Sequence, residues 1–139
     1  MSRRMSVSLT LDAVRERRKT VTRRHVDTWK DLKPGDRLTL CRKVMGRKAG
    51  EPLVRLAEVE VVSVRRESIL AMTEADVERE GVPLVDRFGH ERFDEVWFPD
   101  GGTFADAQPT VESWISWYCG EFDLHPYLDD VTRIEWRYL

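Results

Sequence analysis

Hydrophobic and polar positions along this chain fall into short alternating runs separated by helical spacings, and their order predicts the architecture. Val7-Ser8-Leu9-Thr10 alternates as a brief strand, and Thr10 is placed to cap a helix that begins at Leu11 and runs to about Glu16. Leu11 and Val14 give that helix its apolar side. A Lys33-Pro34-Gly35-Asp36 turn launches Arg37 to Cys41, where polar and apolar residues alternate as in a half-buried strand. A polar loop from Gly46 to Pro52 leads into a long Val-rich strand over Leu53 to Val64. Within it Val59, Val61 and Val62 break the alternation, which predicts a bulge or a strand covered on both faces.

Thr73-Glu74-Ala75-Asp76 has the form of a capping box with Asp at its last position, opening a short helix through Glu80 that Gly81 stops. Pro83 to Pro109 carries scattered aromatics and a Pro-Asp-Gly-Gly turn but no ordered period. Val111, Trp114, Ile115 and Tyr118 then recur at helical spacing between a Thr110 cap and a Gly120 stop. Val131 to Leu139 alternates almost throughout, with Thr132, Ile134, Trp136 and Tyr138 on one side and Val131, Arg133, Glu135 and Arg137 on the other. The expectation is a single α+β domain over residues 1–139: a small, mostly antiparallel β-barrel flanked by helices, closed by its terminal strand.

Composition narrows the class. At 139 residues, 41% hydrophobic and 35% charged, the chain suits one globular core. No apolar run approaches the roughly 20 residues of a membrane span, and the basic N-terminus has no apolar stretch behind it, so no membrane association and a cytoplasmic location are expected. Cys41 and Cys119, far apart in an otherwise unstapled chain, read as reduced and buried thiols, with a single bridge as the alternative.

The net charge of −2 hides a division. Residues 1–50 hold 15 Lys+Arg against 5 Asp+Glu, and the remainder holds 8 against 20. One basic face on an acidic body suggests a localised anion site, or two halves that neutralise each other by packing. The basic character peaks at Arg17-Arg18-Lys19-Thr20-Val21-Thr22-Arg23-Arg24, with five cations and two hydroxyls in eight residues. Arg forks and a compact Lys charge suit phosphate, and a Lys crowded by cations and desolvated loses basicity, so its amine can activate a hydroxyl. The competing reading is a solvated helix end whose cations complement the dipole.

With this segment followed by Lys33 to Asp36 and a strand, the chain resembles the ASCH family, small domains related in fold to the PUA RNA-binding module. The family motif Gly-x-Lys-x-x-[Glu/Thr]-x-Arg reads here from Arg17 to Arg24, with Arg17 where the family has Gly. One family branch removes the acetyl group from N4-acetylcytidine. The resemblance implies Lys19, Thr22 and Glu80 as a catalytic set, and the basic cluster with a nearby aromatic adds Arg18, Arg23, Arg24 and Trp29 as candidate contacts to a bound nucleotide, free nucleoside or RNA.

On that expectation, Lys19 deprotonates Thr22 or a water, Thr22 attacks the acyl carbon or positions the water, and Glu80 protonates the leaving amine or orients the base. Arg24 binds an anionic group or steadies charge on the carbonyl oxygen. Glu80 pinning Lys19 in its charged form would instead leave an RNA-binding module without turnover, and a metal-independent ribonuclease is a third class. Of the five Trp residues, Trp114 and Trp136 sit on apolar stripes and read as core, whereas Trp29 and Trp97 near turns are candidate stacking platforms. His25, His90 and His125 lack paired ligand spacing, and Gly-rich nucleotide loops are missing, so neither a metal nor a cofactor is expected.

Overall fold

In the computed structural model, the described residues are 3–7, 10–81, 111, 114, 115, 118, 119 and 122–139. The expectations placed on Pro83 to Pro109, on Trp97 and His90, on the Thr110 cap and the Gly120 stop, and on Ser8 and Leu9, lie outside them.

The elements run β1 (Arg3–Ser6), α1 (Leu11–Arg15), β2 (Val21–His25), β3 (Arg37–Cys41), β4 (Arg55–Ser68), α2 (Glu74–Arg79) and β5 (Asp130–Tyr138). A 3-10 turn at Ile69–Ala71 links β4 to α2, and Val111, Trp114, Ile115, Tyr118 and Cys119 have helical backbone, as their spacing predicts. The strands form one mixed sheet in the order β1-β3-β4-β5-β2, curled into a half-barrel. β1 pairs parallel with β3, and the β3–β4, β4–β5 and β5–β2 pairs are antiparallel. The small α+β fold, a curled and mostly antiparallel sheet with helices on its flanks, is therefore as the pattern predicts, but the terminal strand β5 lies inside the sheet between β4 and β2 rather than closing it at an edge.

The first strand differs in place. It covers Arg3–Ser6 rather than starting at Val7, with Val7 N–H extending the pairing to the Cys41 carbonyl at 2.9 Å. Thr10 occupies the N-cap of α1, but its side chain makes no capping bond. The Lys33 to Asp36 turn closes as read, with Gly35 at φ 95° and Asp36 N–H donating to the Lys33 carbonyl. The Val-rich strand carries a bulge: the β4–β5 register shifts between Val61 and Ser63. Val59 and Val61 are thereby kept inside while Val62 turns outward, 47% exposed.

Two apolar clusters cover the two faces of the sheet. Inside the half-barrel, Met5, Leu38, Leu40, Val61, Ile134 and Trp136 pack with Val14 of α1. On the opposite face of β5, Val131 packs with Ile69 and Met72, Val77 of α2, and Trp114 and Tyr118, whose rings stack at 4.8 Å. Because helices cover this outer face, Val131 to Ile134 are buried on both sides of the strand. Arg133, which alternation alone assigns to an outer face, is therefore an interior cation. Cys41 and Cys119 are buried free thiols, and burial pushes both up from the ordinary thiol value.

Candidate functional site

The site forms where the C-terminal ends of α1 and α2 abut. Helix α1 stops in a Schellman arrangement, with Arg17 N–H donating to the Val14 carbonyl and Arg18 N–H to the Ala13 carbonyl. That motif needs a left-handed residue just past the cap, and Arg17 supplies it at φ 61°. The left-handed geometry that glycine ordinarily supplies is thus held by a non-glycine residue. Its strain is roughly 1–2 kcal/mol, and its guanidinium lies 5.7 Å from the Tyr138 ring. Helix α2 stops at Gly81 (φ 81°), whose N–H donates to the Glu78 carbonyl.

The two stops press together. A Cβ placed on Gly81 would lie 2.5 Å from Ala13 Cβ and 2.9 Å from Lys19 Cβ. Thr20 N–H donates to the Arg79 carbonyl at 2.8 Å, tying the end of α2 to the segment that enters β2. From β5, Trp136 Nε1 donates to the Lys19 carbonyl at 2.9 Å and the Tyr138 hydroxyl donates to the same oxygen. Lys19 is thus fixed at its backbone by β5 and along its stem by Gly81.

This places the Lys19 ammonium on Glu80, 61 residues away in sequence. Nζ donates to the Glu80 carbonyl at 2.6 Å and to its Oε2 at 3.3 Å, and both residues are buried. Burial lowers the Lys19 pKa from the ordinary amine value; Glu80 opposes the shift, and Arg24 and Arg23 reinforce it. The other carboxylate oxygen of Glu80 accepts from Arg23 Nη1 at 3.0 Å.

Arg23 continues into a buried ion cluster. Its Nη2 donates to Asp76 Oδ2 at 2.7 Å and to Glu67 Oε1 at 3.0 Å. Arg133 Nη2 donates to Asp76 Oδ1 at 3.0 Å, and its Nε lies 3.7 Å from Glu67 Oε1. Lys19, Arg23 and Arg133 balance Glu67, Asp76 and Glu80 in charge. Although burial would raise the Asp76 carboxyl, bonds from Arg23 and Arg133 hold it below the ordinary value. The cap explains the Asp in the box. Thr73 Oγ1 accepts from Asp76 N–H as a cap should, while the Asp76 carboxylate turns to the two arginines.

The remaining expected residues are distributed as follows. Alternation along β2 puts Thr22 and Arg24 on the face opposite Arg23, with Thr22 buried beside Ile134 of β5. Arg24 Nη2 donates to the Ser6 carbonyl at 2.7 Å, spanning the two edge strands of the half-barrel. Among the described residues its Nε has no partner, and burial lowers its pKa. Arg18 is half-exposed and paired with Glu16 at 2.7 Å. Trp29 is half-buried against the inner cluster at φ 60°, and the Arg3 guanidinium lies 4.4 Å from its ring centre. Asp76, Glu67 and Arg133 were not singled out in sequence. The one local signal was Asp at the capping-box position. Among the described residues no group of three or more His, Cys, Asp or Glu could hold a metal ion.

No family model matches the chain, and no curated protein matches it. Among solved structures it is similar to protein EF3133 from Enterococcus faecalis, of the family DUF984, with a TM-score of 0.56 and 13% identity over all of this chain and 76% of that one. That likeness supports the half-barrel fold.

Proposed function

We propose that the chain is an ASCH-type domain that takes an N-acylated nucleoside, of the N4-acetylcytidine kind, at the Lys19–Glu80 pair and hydrolyses its exocyclic amide. The observation that carries this reading is the contact itself. Two residues picked out by motif in separate segments meet at hydrogen-bond distance, with the amine desolvated and flanked by cations.

The chemistry follows from those properties. Burial lowers the basicity of the Lys19 amine, which suits it to act as a general base that takes a proton from water or from the Thr22 hydroxyl as that oxygen bonds to the acyl carbon. The C–N bond breaks and the proton passes to the departing exocyclic nitrogen, leaving cytidine and acetate. With Thr22 as nucleophile, the acetyl group rests on its oxygen until water releases it. Glu80 orients the base through its amide N–H. Arg24, whose Nη2 donates to a backbone carbonyl and whose Nε has no partner among the described residues, faces the same side of β2 as Thr22 and steadies the carbonyl oxygen or a 5′-phosphate.

A second reading has its own support. Glu80 already holds Lys19 through its side-chain and backbone oxygens, which favours the charged amine and a domain that binds single-stranded RNA without turnover. Incubation of the purified protein with N4-acetylcytidine, followed by chromatography, separates the two. The proposal expects cytidine and acetate in the wild type and neither in Lys19→Ala or Thr22→Ala. An inactive wild type that retains labelled single-stranded RNA, with retention falling in salt and in Arg24→Ala, overturns it in favour of the binding module. RNA fragments formed in the presence of chelator and lost in Lys19→Ala would overturn it in favour of a ribonuclease.

A further inference from the structure

Arg23 lies in the basic segment, yet its bonds run inward. Its side chain is 0% exposed, and its two terminal nitrogens reach Glu80, Asp76 and Glu67. The guanidinium also lies 6.0 Å from the centre of the Trp114 ring. Glu80 is divided between two cations, Oε1 on Arg23 and Oε2 on Lys19. Asp76 is divided likewise between Arg23 and Arg133, and Arg133 Nη1 ends on Glu135 Oε1 at 3.3 Å. The chain of bonds therefore passes from β5 through α2 to β2 and back to the end of α2.

We infer that Arg23 is a positioning residue rather than a ligand contact: by fixing one oxygen of Glu80 it presents the other to Lys19, and Asp76 and Arg133 lock the fork that does so. The planar guanidinium is suited to this because its nitrogens bridge two carboxylates at fixed separation, which an ammonium on a flexible stem does not. The charged groups acting on the Lys19 ammonium are Glu80 from α2 and Arg24 and Arg23 from β2. Tyr118, raised by burial and then by Glu80, stays neutral beside them. The inference rests on the proposed function only in giving the Lys19–Glu80 geometry a catalytic purpose. The geometry itself can be read without substrate.

The test is the titration of Lys19 in protein carrying 13C-labelled lysine, one of five lysines in the chain, assigned by its loss in Lys19→Arg. In Glu80→Gln the Lys19 midpoint falls by about one unit or more, since the attracting carboxylate is gone. In Arg23→Gln it falls, because Glu80 loses the hold that turns its other oxygen to Lys19, and the Glu80 contact acts on Lys19 more strongly than the Arg23 cation does. Arg23→Lys keeps the charge without the fork, and its midpoint also falls below wild type. A folded Arg23→Gln with an unmoved or raised Lys19 midpoint overturns the inference. So does loss of RNA or nucleoside retention in that variant without a titration change, since that is the behaviour of a ligand contact. Should Arg23→Gln fail to fold, Arg23→Lys decides, and a wild-type midpoint there overturns it. Absence of deacetylation would defeat the proposed function and leave this result standing.

Discussion

Gly81→Ala is the perturbation to which this structure is most sensitive for its size. One methyl is added, at a residue with φ 81°, with Ala13 Cβ at 2.5 Å and Lys19 Cβ at 2.9 Å from the new atom. The left-handed backbone costs an alanine roughly 1–2 kcal/mol. Crowding in a packed core adds about 1–3 kcal/mol, because two of the atoms met are Cβ atoms anchored to backbone rather than flexible tips. Reduced freedom of the unfolded chain returns about 0.4–1 kcal/mol. The expected net loss is about 2–4 kcal/mol, a large part of the roughly 5–15 kcal/mol that holds a domain together. Urea denaturation followed by far-UV circular dichroism measures it. With a slope of about 2 kcal/mol per molar urea, the midpoint falls by about 1–2 M. Adding Ala13→Gly removes the 2.5 Å contact while leaving the backbone strain, so the double variant should lose less than the sum of the singles by about 0.5 kcal/mol or more. A Gly81→Ala protein within about 0.5 kcal/mol of wild type, or strictly additive singles, would refute the reasoning that the two helix stops are pressed together at Lys19.

Three further outcomes follow from the same geometry. At Arg17, Gly should be more stable than Ala by about 1 kcal/mol, since Gly relieves the left-handed strain that Ala retains; thermal melts of the two variants compare them directly. Asp76→Ala leaves Arg23 and Arg133 short of a buried counter-ion and should cost about 3–5 kcal/mol in urea unfolding, whereas Arg66→Ala, at the exposed pair with Asp130, should cost no more than about 1 kcal/mol. The native Asp76 carboxyl titrates below its unfolded value, so its contribution is complete above about pH 4 and is lost as pH falls through the native value. Asp76→Asn should therefore flatten the acid limb of stability against pH, and an unchanged acid limb would show that the carboxylate carries no such linkage.

Local pattern determined a good deal of this protein. The Pro-Gly turn, the alternation of β3 and β5, the Val62 bulge, the Thr73 cap and the Gly81 stop were legible because each depends on residues within one turn or one pleat of each other. The motif reading also named Lys19 and Glu80, the pair that the fold brings into contact. Tertiary structure decided what surrounds them. Alternation puts Arg133 opposite Ile134 but does not say that helical residues cover its side, so an apparently exposed arginine became an interior one. The Asp at the capping position was visible, but its partners come from β2 and β5, 53 and 57 residues distant. Arg17 shows the same division. The sequence placed a side chain where a left-handed turn favours glycine, and the conformation was set by the docking of the two helix ends, whose collective packing outweighs about 1–2 kcal/mol of local strain. Periodicity fixes which way a side chain points. Only the arrival of distant segments fixes what it meets, because charge pairing and steric fit act through space and leave no trace in spacing.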